Sequence, residues 1–209
     1  MAAPPNRIRI IGGQWKRTPI PVAARPGLRP SSDRVRETLF NWLGQDLSGK
    51  TVLDLFSGTG ALGFEAASRG AANVTLVEND RIALARLLQL RTKLAATMIQ
   101  IQAGDALAAI SQFAGAGRRF DLVLLDPPFR QDWLAKLLPA VAPILADGAA
   151  LYVEAEFPLD GQQVEQWLKP LSNNAADVIC VTASKSGQAG QVYYHLFSIG
   201  SAKRDRAAD

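Results

Sequence analysis

The sequence predicts an α/β fold with a mostly parallel sheet, and two patterns lead to this prediction. From Lys50 onward, apolar segments of strand length alternate with segments of helical periodicity. Repeated units of this kind place parallel strands side by side through right-handed crossovers, with helices on both faces of the sheet. The last two apolar segments, 177–182 and 191–198, are joined by a glycine-containing connector, which predicts a terminal antiparallel hairpin.

The first 30 residues are predicted to form a small, separate extension. Residues 7–11 and 14–17 flank Gly12 and Gly13. Because two glycines tolerate the positive φ angles of a two-residue turn, a short β-hairpin is expected here. The proline-rich stretch 18–30 is expected to run as an extended connector.

A first helix is predicted after the N-cap segment 31–33, because Val35 and Leu39 begin an apolar stripe at helical spacing. Arg34 and Arg36 fall in its first turn, where the helix dipole disfavours each cation by about 0.3–1 kcal/mol. Either neighbouring carboxylates neutralise the two arginines, or the arginines face the phosphate groups of a bound polyanion. The basic character of the whole segment favours the second interpretation.

The main domain is predicted to span residues 31–200 and to contain seven strands, counting the terminal hairpin. Residues 201–209 are predicted to form a disordered tail. The other elements, in the order in which their patterns occur, are strands at 51–55, 73–78, 98–102, 120–126 and 149–154, and helices at 60–69, 80–95, 106–113, 133–141 and 162–168.

Composition agrees with one main core and excludes several kinds of site. With 209 residues, 48% of them hydrophobic, the chain is long enough to bury a sizeable core. One cysteine and one histidine provide neither an internal disulfide nor a metal site. The lack of a leader pattern and of an apolar run of about 18 residues predicts a cytoplasmic protein with no membrane partner.

Positive charge is concentrated at the front of the chain. The first 50 residues hold nine lysines and arginines against three carboxylates, although the net charge of the whole chain is only +4. A basic extension on a near-neutral body is typical of proteins that bind a polyanion, while a solvated basic surface is the alternative. The residues expected to contact phosphates are Arg7, Arg9, Lys16, Arg17, Arg29, Arg34, Arg36 and Arg130.

The segment 54–63, which contains a glycine-rich loop, lies at the first strand-to-helix turn of the main domain. Gly58, Gly60 and Gly63 satisfy the G-x-G-x-x-G pattern. Glu78 ends the next strand, where a carboxylate that binds ribose hydroxyls is expected. The pattern serves both nicotinamide dinucleotides and S-adenosylmethionine, because both ligands need backbone close to them.

Several features favour S-adenosylmethionine. Asp54, directly before the loop, suits an ammonium and sulfonium ligand better than a pyrophosphate. No lysine followed by serine or threonine comes after the glycines, which excludes a nucleoside-triphosphate loop. Asp105, after the third strand, can accept a hydrogen bond from an adenine amino group. The predicted cofactor-binding residues are Asp54, Phe56, Ser57, Gly58, Gly60, Glu78, Asn79, Asp105 and Ala106.

The predicted catalytic residues, Asp126, Pro127, Pro128 and Phe129, follow the apolar strand that begins at Phe120. Two prolines end that strand at the carboxyl edge of the sheet, where ligands of open α/β sheets bind. A carboxylate, a backbone carbonyl and an aromatic face can together hold a flat base by its amino group. A strand-ending turn with a core phenylalanine is the alternative, and the glycine-rich loop argues against it.

These motifs together resemble those of a known class of enzymes. The loop 54–60, Glu78, Asp105 and the segment 126–129 are similar to the cofactor and catalytic motifs of Rossmann-like methyltransferases that act on exocyclic base nitrogens. The resemblance implies a Rossmann-like S-adenosylmethionine-dependent methyltransferase fold with a small N-terminal hairpin and helix added.

One family is resembled more specifically, the bacterial small-subunit ribosomal RNA guanine-N2 methyltransferases called RsmD. The segments 9–15, 27–43 and 189–192 carry this resemblance, which covers residues 7–198. It implies an enzyme that uses S-adenosylmethionine, with 16S ribosomal RNA in the small subunit or its assembly intermediate as partner. A monomer is expected, although the sequence does not determine the oligomeric state. It also implies that the carboxylate of Asp126 and the carbonyl of Pro127 accept the two amino hydrogens of guanine.

Alternative functions stay open from the sequence. An adenine-N6 or cytosine-N4 methyltransferase would use similar amine chemistry, although the chain has no separate target-recognition domain. A non-catalytic RNA-binding assembly factor would keep the fold, although the cofactor carboxylates are intact. A dehydrogenase would share the glycine pattern. His195, the only histidine, is predicted to be structural or at the surface, because it falls in the terminal strand with Tyr193 and Phe197 on one alternating face.

Overall fold

The structure of the protein is a computed structural model that describes residues 8–22, 33–169 and 177–203. The chain forms two compact units, residues 1–109 and 110–209. The boundary predicted at residue 30 lies outside the described residues and stays a prediction. Within the described residues, every helix is too short or too polar to cross a lipid bilayer.

The first unit contains a small antiparallel pair and three parallel strands. In chain order its elements are β1 (Ile8–Arg9), β2 (Pro19–Ile20), α1 (Asp33–Trp42), β3 (Thr51–Asp54), α2 (Ala61–Ser68), β4 (Asn73–Glu78), α3 (Arg81–Lys93), β5 (Ile99–Ala103) and α4, which begins at Ala106. Strand β4 lies between β3 and β5 and is parallel to both. The carboxyl ends of these strands therefore lie at one edge of the sheet.

The second unit contains the other four sheet strands. Helix α4 ends in it at Gly115, and β6 (Phe120–Leu125), α5 (Trp133–Val141), the 3₁₀ turn Ala142–Ile144, β7 (Leu145–Ala155), α6 (Gly161–Leu168), β8 (Asp177–Ala189) and β9 (Val192–Lys203) follow. Strands β6 and β7 are parallel, and β9 is antiparallel to both β7 and β8. The seven-stranded, mostly parallel sheet and its terminal antiparallel hairpin confirm the predicted fold class.

Strand β7 begins at Leu145, four residues before the predicted start, and two details of the terminal hairpin also differ from the sequence prediction. Strand β8 runs through the segment expected as a connector, so that only Gly190 and Gln191 separate it from β9. Gly190 has a φ of +64°, which suits such a tight turn. Strand β9 ends at Lys203, so residues 201–203 belong to the sheet rather than to the predicted tail. Residues 204–209 lie outside the described residues.

The N-terminal hairpin has a longer turn than predicted. Ile8 pairs with Ile20, and the N–H of Arg17 donates to the carbonyl of Ile10 at 2.7 Å. Gly13 packs against helix α2, where a Cβ atom would fall 1.8 Å from the carbonyl oxygen of Ser68. Gly13 also has a φ of +71°, so glycine is needed both for close packing on α2 and for the backbone of this longer turn.

Glu65 of α2 fixes the hairpin to the first unit. Its fully buried carboxylate accepts the N–H groups of Ile11 and Gly12 at 2.7 and 2.8 Å. The same carboxylate lies 2.8 Å from the Arg69 guanidinium and 3.6 Å from that of Arg36. A buried charge is tolerated only when it is paired and hydrogen-bonded in this way.

Replacing Glu65 with alanine is expected to lower the free energy of unfolding by about 3–5 kcal/mol, because the buried Arg69 guanidinium loses its carboxylate partner and Arg36 keeps only Asp33. Urea unfolding followed by circular dichroism measures the change. Glu37→Ala is the matched control, since Glu37 is an exposed carboxylate of α1 and surface substitutions usually change stability by less than about 0.5 kcal/mol. Equal stability of the two variants would contradict the role of Glu65.

Candidate functional site

The glycine-rich loop between β3 and α2 is held by two carboxylates. The Asp54 carboxylate accepts the N–H of Gly63 at 3.2 Å, which joins the end of β3 to the first turn of α2. The Glu78 carboxylate accepts the N–H of Gly58 at 2.7 Å from the end of β4. Three predicted site residues of the first unit, Asp54, Gly58 and Glu78, are thus brought together around one loop.

The glycines of this segment differ in the space that a side chain would have. Gly60 has a φ of +78°, and a Cβ atom there would fall 2.6 Å from the side chain of Leu87. At Gly63, a Cβ atom would fall 2.1 Å from the side chain of Leu76. At Gly58, the nearest atom to such a Cβ lies 3.9 Å away, so the space in front of this residue is open to a ligand.

Glu78 is half-buried and has three backbone partners. Its second carboxylate oxygen accepts the N–H groups of Asn79 and Asp80 at 2.9 and 2.8 Å. A carboxylate oxygen offers two lone pairs, so the oxygen that faces Gly58 can accept one further hydrogen bond. The neighbouring Asn79 is exposed. This arrangement suits a ligand with vicinal hydroxyl groups, such as a ribose.

Asp105 is exposed beyond the end of β5. One of its oxygens accepts the N–H groups of Leu107 and Ala108 at 2.9 and 3.2 Å, so Asp105 is the N-cap of α4. The backbone before it is tied to β4, because the N–H of Gly104 donates to the carbonyl of Glu78 at 2.9 Å. The capping role fixes the carboxyl group in place, and its second oxygen has no hydrogen bond from the described residues.

The other residues predicted to bind the cofactor support the loop. Ser57 is buried, its hydroxyl donates to the carbonyl of Asp54 at 3.0 Å, and its N–H donates to the carbonyl of Val77 at 3.1 Å. Phe56 is half-buried, and Ala106 is buried at the start of α4. Their side chains and backbone set the path of the loop and of the α4 start.

Burial raises the pKa of Asp54 to about 7, and the nearby Glu78 carboxylate acts in the same direction. Hydrogen bonds from the backbone of Gly63 and Phe56 act against this rise. Only 2% of Asp54 is exposed, so removal of water from the carboxylate dominates. A positively charged ligand beside the loop would offset this cost by stabilising the ionised carboxylate.

Asp54→Asn is expected to remove a pH dependence of stability. A folded pKa near 7, against an ordinary value of 3.8, means that the folded protein binds the proton more tightly. The contribution of Asp54 to the free energy of unfolding should then be fully present below about pH 4. It should decrease by about 4 kcal/mol as the pH rises to the folded pKa of about 7. Urea unfolding of both proteins between about pH 4 and pH 8 measures the difference, in which other titrating groups cancel. A wild-type minus variant difference that stays constant with pH would contradict this environment for Asp54.

The segment after β6 has the exposure pattern expected of a ligand-binding turn. Asp126 is half-buried, Pro127 is buried, Pro128 is exposed and the Phe129 side chain is 36% exposed. The alternative of a core phenylalanine is therefore wrong, because Phe129 is not buried. The next residue, Arg130, has a φ of +62°, and its N–H donates to the Glu156 carboxylate after β7.

Sequence reasoning missed two residues on β7, Tyr152 and Glu154. Both are buried, and the Tyr152 hydroxyl donates to the Glu154 carboxylate at 2.8 Å. Burial, together with the charges of Glu154 and Asp126, keeps the pKa of Tyr152 well above its ordinary value. Tyr152 is therefore a neutral hydroxyl near Asp126. Their spacing of two residues, which puts both on one face of a strand, was the available signal.

His195 is structural, as the sequence predicts, and is only 1% exposed. Its Nδ1 lies 2.9 Å from the Ser186 hydroxyl, and its Nε2 accepts the N–H of Leu159 at 3.3 Å. Burial lowers its pKa, against the effect of a hydrogen bond with the Phe157 backbone. Because both ring nitrogens have protein partners, the imidazole cannot serve as a base toward a substrate.

The basic residues predicted to contact phosphates separate into two groups. Arg36 is fully buried, with its guanidinium 2.6 Å from Asp33 and 2.9 Å from the carbonyl of Arg9, so the prediction that Arg36 binds phosphate is wrong. The carboxylates of Asp33 and Glu65 hold it in the interior instead. The exposed residues are Arg9, Lys16, Arg17 and Arg34 in the first unit and Arg130 in the second. Arg7 and Arg29 lie outside the described residues.

The chain has close relatives among characterised sequences. The family described as Conserved hypothetical protein 95 matches residues 8–185. Ribosomal RNA small subunit methyltransferase D of Escherichia coli strain K12 is 39% identical over 194 residues, 92% of this chain and 90% of that protein. The protein of the same name from Haemophilus influenzae is 38% identical, over 72% of this chain and 80% of that protein.

Solved structures agree with these relationships. The putative methyltransferase yhhF from Escherichia coli is 37% identical with a TM-score of 0.74, and the match covers 94% of this chain and all of that chain. The putative methylase HI0767 from Haemophilus influenzae is 29% identical with a TM-score of 0.66, over 92% of this chain and 98% of that chain. The residues matched by the family model, 8–185, include the glycine-rich loop and the segment after β6.

Proposed function

We propose that this chain methylates the N2 amine of a guanine in 16S ribosomal RNA. The chain belongs to the family described as Conserved hypothetical protein 95, which is the family of ribosomal RNA small subunit methyltransferase D. S-adenosylmethionine is the methyl donor. The observation that carries the proposal is the turn after β6, where a half-buried Asp126 and an exposed Phe129 flank two prolines.

The first unit supplies a fitting set of groups for S-adenosylmethionine, which provides an activated methyl group on its sulfonium when bound. The open space at Gly58 admits a ligand against the backbone. Glu78 would accept the ribose hydroxyls, and the second oxygen of Asp105 would accept the adenine amino group. The carboxyl group of Asp54, whose charged form burial disfavours, suits a cationic ligand better than a pyrophosphate.

The turn after β6 would align the amine. A guanine N2 lone pair is delocalised into the ring, so the amine is a weak nucleophile until its geometry changes. The Asp126 carboxylate and the Pro127 carbonyl would accept hydrogen bonds from its two N–H groups, which favours a tetrahedral nitrogen and stabilises the positive charge that develops on it. The new bond from nitrogen to the methyl carbon would form as the bond from that carbon to sulfur breaks, which leaves a neutral thioether, and the surplus amine proton would pass to Asp126 or to water. Two consecutive prolines, Pro127 and Pro128, stiffen the turn and reduce the orientation entropy lost in the reaction.

The RNA-binding surface would be built on the hairpin and α1. Arg9, Lys16, Arg17 and Arg34 are exposed basic residues within the first unit, and phosphate contacts of this kind position an RNA without reading its sequence. Arg130 would add a phosphate contact beside the base-binding turn. We propose a monomer that acts on the small subunit or on its assembly intermediate.

Two other functions make different predictions. An adenine-N6 methyltransferase would use the same amine alignment with another base. A non-catalytic assembly factor would bind RNA through the same basic surface and transfer no methyl group. The glycine-rich loop, held by Asp54 and Glu78, favours an enzyme over the assembly factor, because a cofactor-binding loop does not serve RNA binding.

Incubation with labelled S-adenosylmethionine tests the function. We expect methyl transfer to unmethylated small subunits and none to large-subunit RNA or duplex DNA.

Asp126→Ala should keep cofactor affinity within about threefold and lower the transfer rate at least about 100-fold, because the amine loses its main hydrogen-bond acceptor. Asp147→Ala, at an exposed carboxylate of the same unit, should behave as wild type. An active Asp126→Ala protein would refute the role of Asp126.

Removing two hairpin charges tests the RNA-binding surface. Lys16→Gln with Arg17→Gln should weaken RNA binding and reduce the slope of log affinity against log salt by about two, because two counterion-releasing contacts are lost. Lys93→Gln, an exposed lysine at the end of α3, is the control. Filter binding over a range of salt concentrations measures both. An unchanged slope in the double variant would show that phosphates contact another surface.

A further inference from the structure

Two phenylalanine side chains are exposed at the same edge of the second unit. Phe129 is 36% exposed and Phe157 is 46% exposed. They follow β6 and β7, which are parallel neighbours with Leu125 opposite Val153. Beyond the strand ends, the N–H of Arg130 donates to the Glu156 carboxylate, so the residues next to Phe129 and Phe157 are in contact. The two phenylalanines therefore lie in neighbouring segments at one edge of the unit.

The backbone around Phe157 is held in place. The N–H of Arg130 donates to the Glu156 carboxylate, which joins the segment after β6 to the segment after β7. The N–H of Leu159, which is itself buried, donates to Nε2 of the buried His195. Phe157 is thus exposed by an anchored backbone and not by a loose loop.

Exposure of a large apolar ring calls for an explanation. Leaving an aromatic ring in water forfeits the hydrophobic stabilisation that burial would give. Among the described residues, only four large hydrophobic side chains are exposed to this degree, and the other two, Ile82 and Leu88, lie on α3. The remaining pair shares one edge with the turn that holds Asp126.

We propose that Phe157 forms a second apolar wall against the target guanine, on the side of the base away from Phe129. This inference rests on the proposed function. A base taken out of an RNA stack loses a neighbour on each of its two faces, and aromatic side chains replace such neighbours. One ring covers one face only, so a second exposed ring in the neighbouring segment would complete the replacement.

Variants of Phe157 test this role through the rate of transfer. Phe157→Ala and Phe157→Leu should lower the single-turnover rate constant for guanine methylation by about tenfold or more, since stacking on the base is lost. Phe157→Tyr should keep it within about threefold. Cofactor affinity, RNA affinity and thermal unfolding should change little in all three. Leu88→Ala, which removes an equally exposed side chain elsewhere, should match wild type.

A double-mutant cycle tests whether Phe129 and Phe157 contact the same base. If both rings cover one base, Phe129→Ala and Phe157→Ala together should lose less than the product of the two single losses. A Phe157→Ala protein with a wild-type rate constant, or one whose loss lies wholly in RNA affinity, would overturn the inference and leave the proposed function intact. A wild-type protein that transfers no methyl group to small-subunit RNA would refute both.

Discussion

The buried carboxylate of Glu65 is the interaction on which the arrangement of the first unit depends. It receives two backbone N–H groups of the hairpin and pairs with Arg36 and Arg69. Helix α2, which carries Glu65, begins directly after the glycine-rich loop. One helix therefore supports the cofactor loop at its start and the basic hairpin along its length. The proposed RNA-binding surface and the proposed cofactor site cannot move independently within this unit.

Carboxylates at strand ends have a structural use as well as the proposed chemical one. Glu78 holds Gly58 and the start of α3, and Asp105 caps α4. Asp54 joins β3 to α2 through Gly63. Each carboxylate is oriented by backbone N–H groups before any ligand arrives, so little orientation entropy remains to be lost on binding. Substitution at these positions should alter the loop together with its affinity for ligand.

The sequence predicted the fold class and much of the site because local patterns determine them. Alternating apolar segments specify the strands, and two prolines after β6 end that strand wherever it lies in the sheet. The burial of the Arg36 side chain could not be predicted, because it depends on Glu65, 29 residues away in another helix. The two interpretations of the first helical turn differed on this point, and the structure supports neutralisation by carboxylates for Arg36 but leaves Arg34 exposed.

Dependence on distant parts of the chain also explains why the sequence did not indicate Tyr152 and Glu154 beside the turn after β6. Tyr152 and Glu154 look like ordinary strand residues until the register of β7 on β6 places them beside the strand end at Asp126. The glycine pair predicts too short a hairpin turn, because Gly13 packs closely on Ser68, and such a tertiary contact is not visible in the local sequence. Long-range packing decides these features, and one sequence does not reveal it.

The most direct test of the account is nucleoside analysis of 16S ribosomal RNA after methylation by the purified protein. The amine-aligning turn after β6 and the family relationship together predict N2-methylguanosine as the labelled product. Label in N6-methyladenosine, in N4-methylcytidine or on a ring nitrogen of guanine would contradict the account, because the amine proposed to contact Asp126 would then not be the reacting atom.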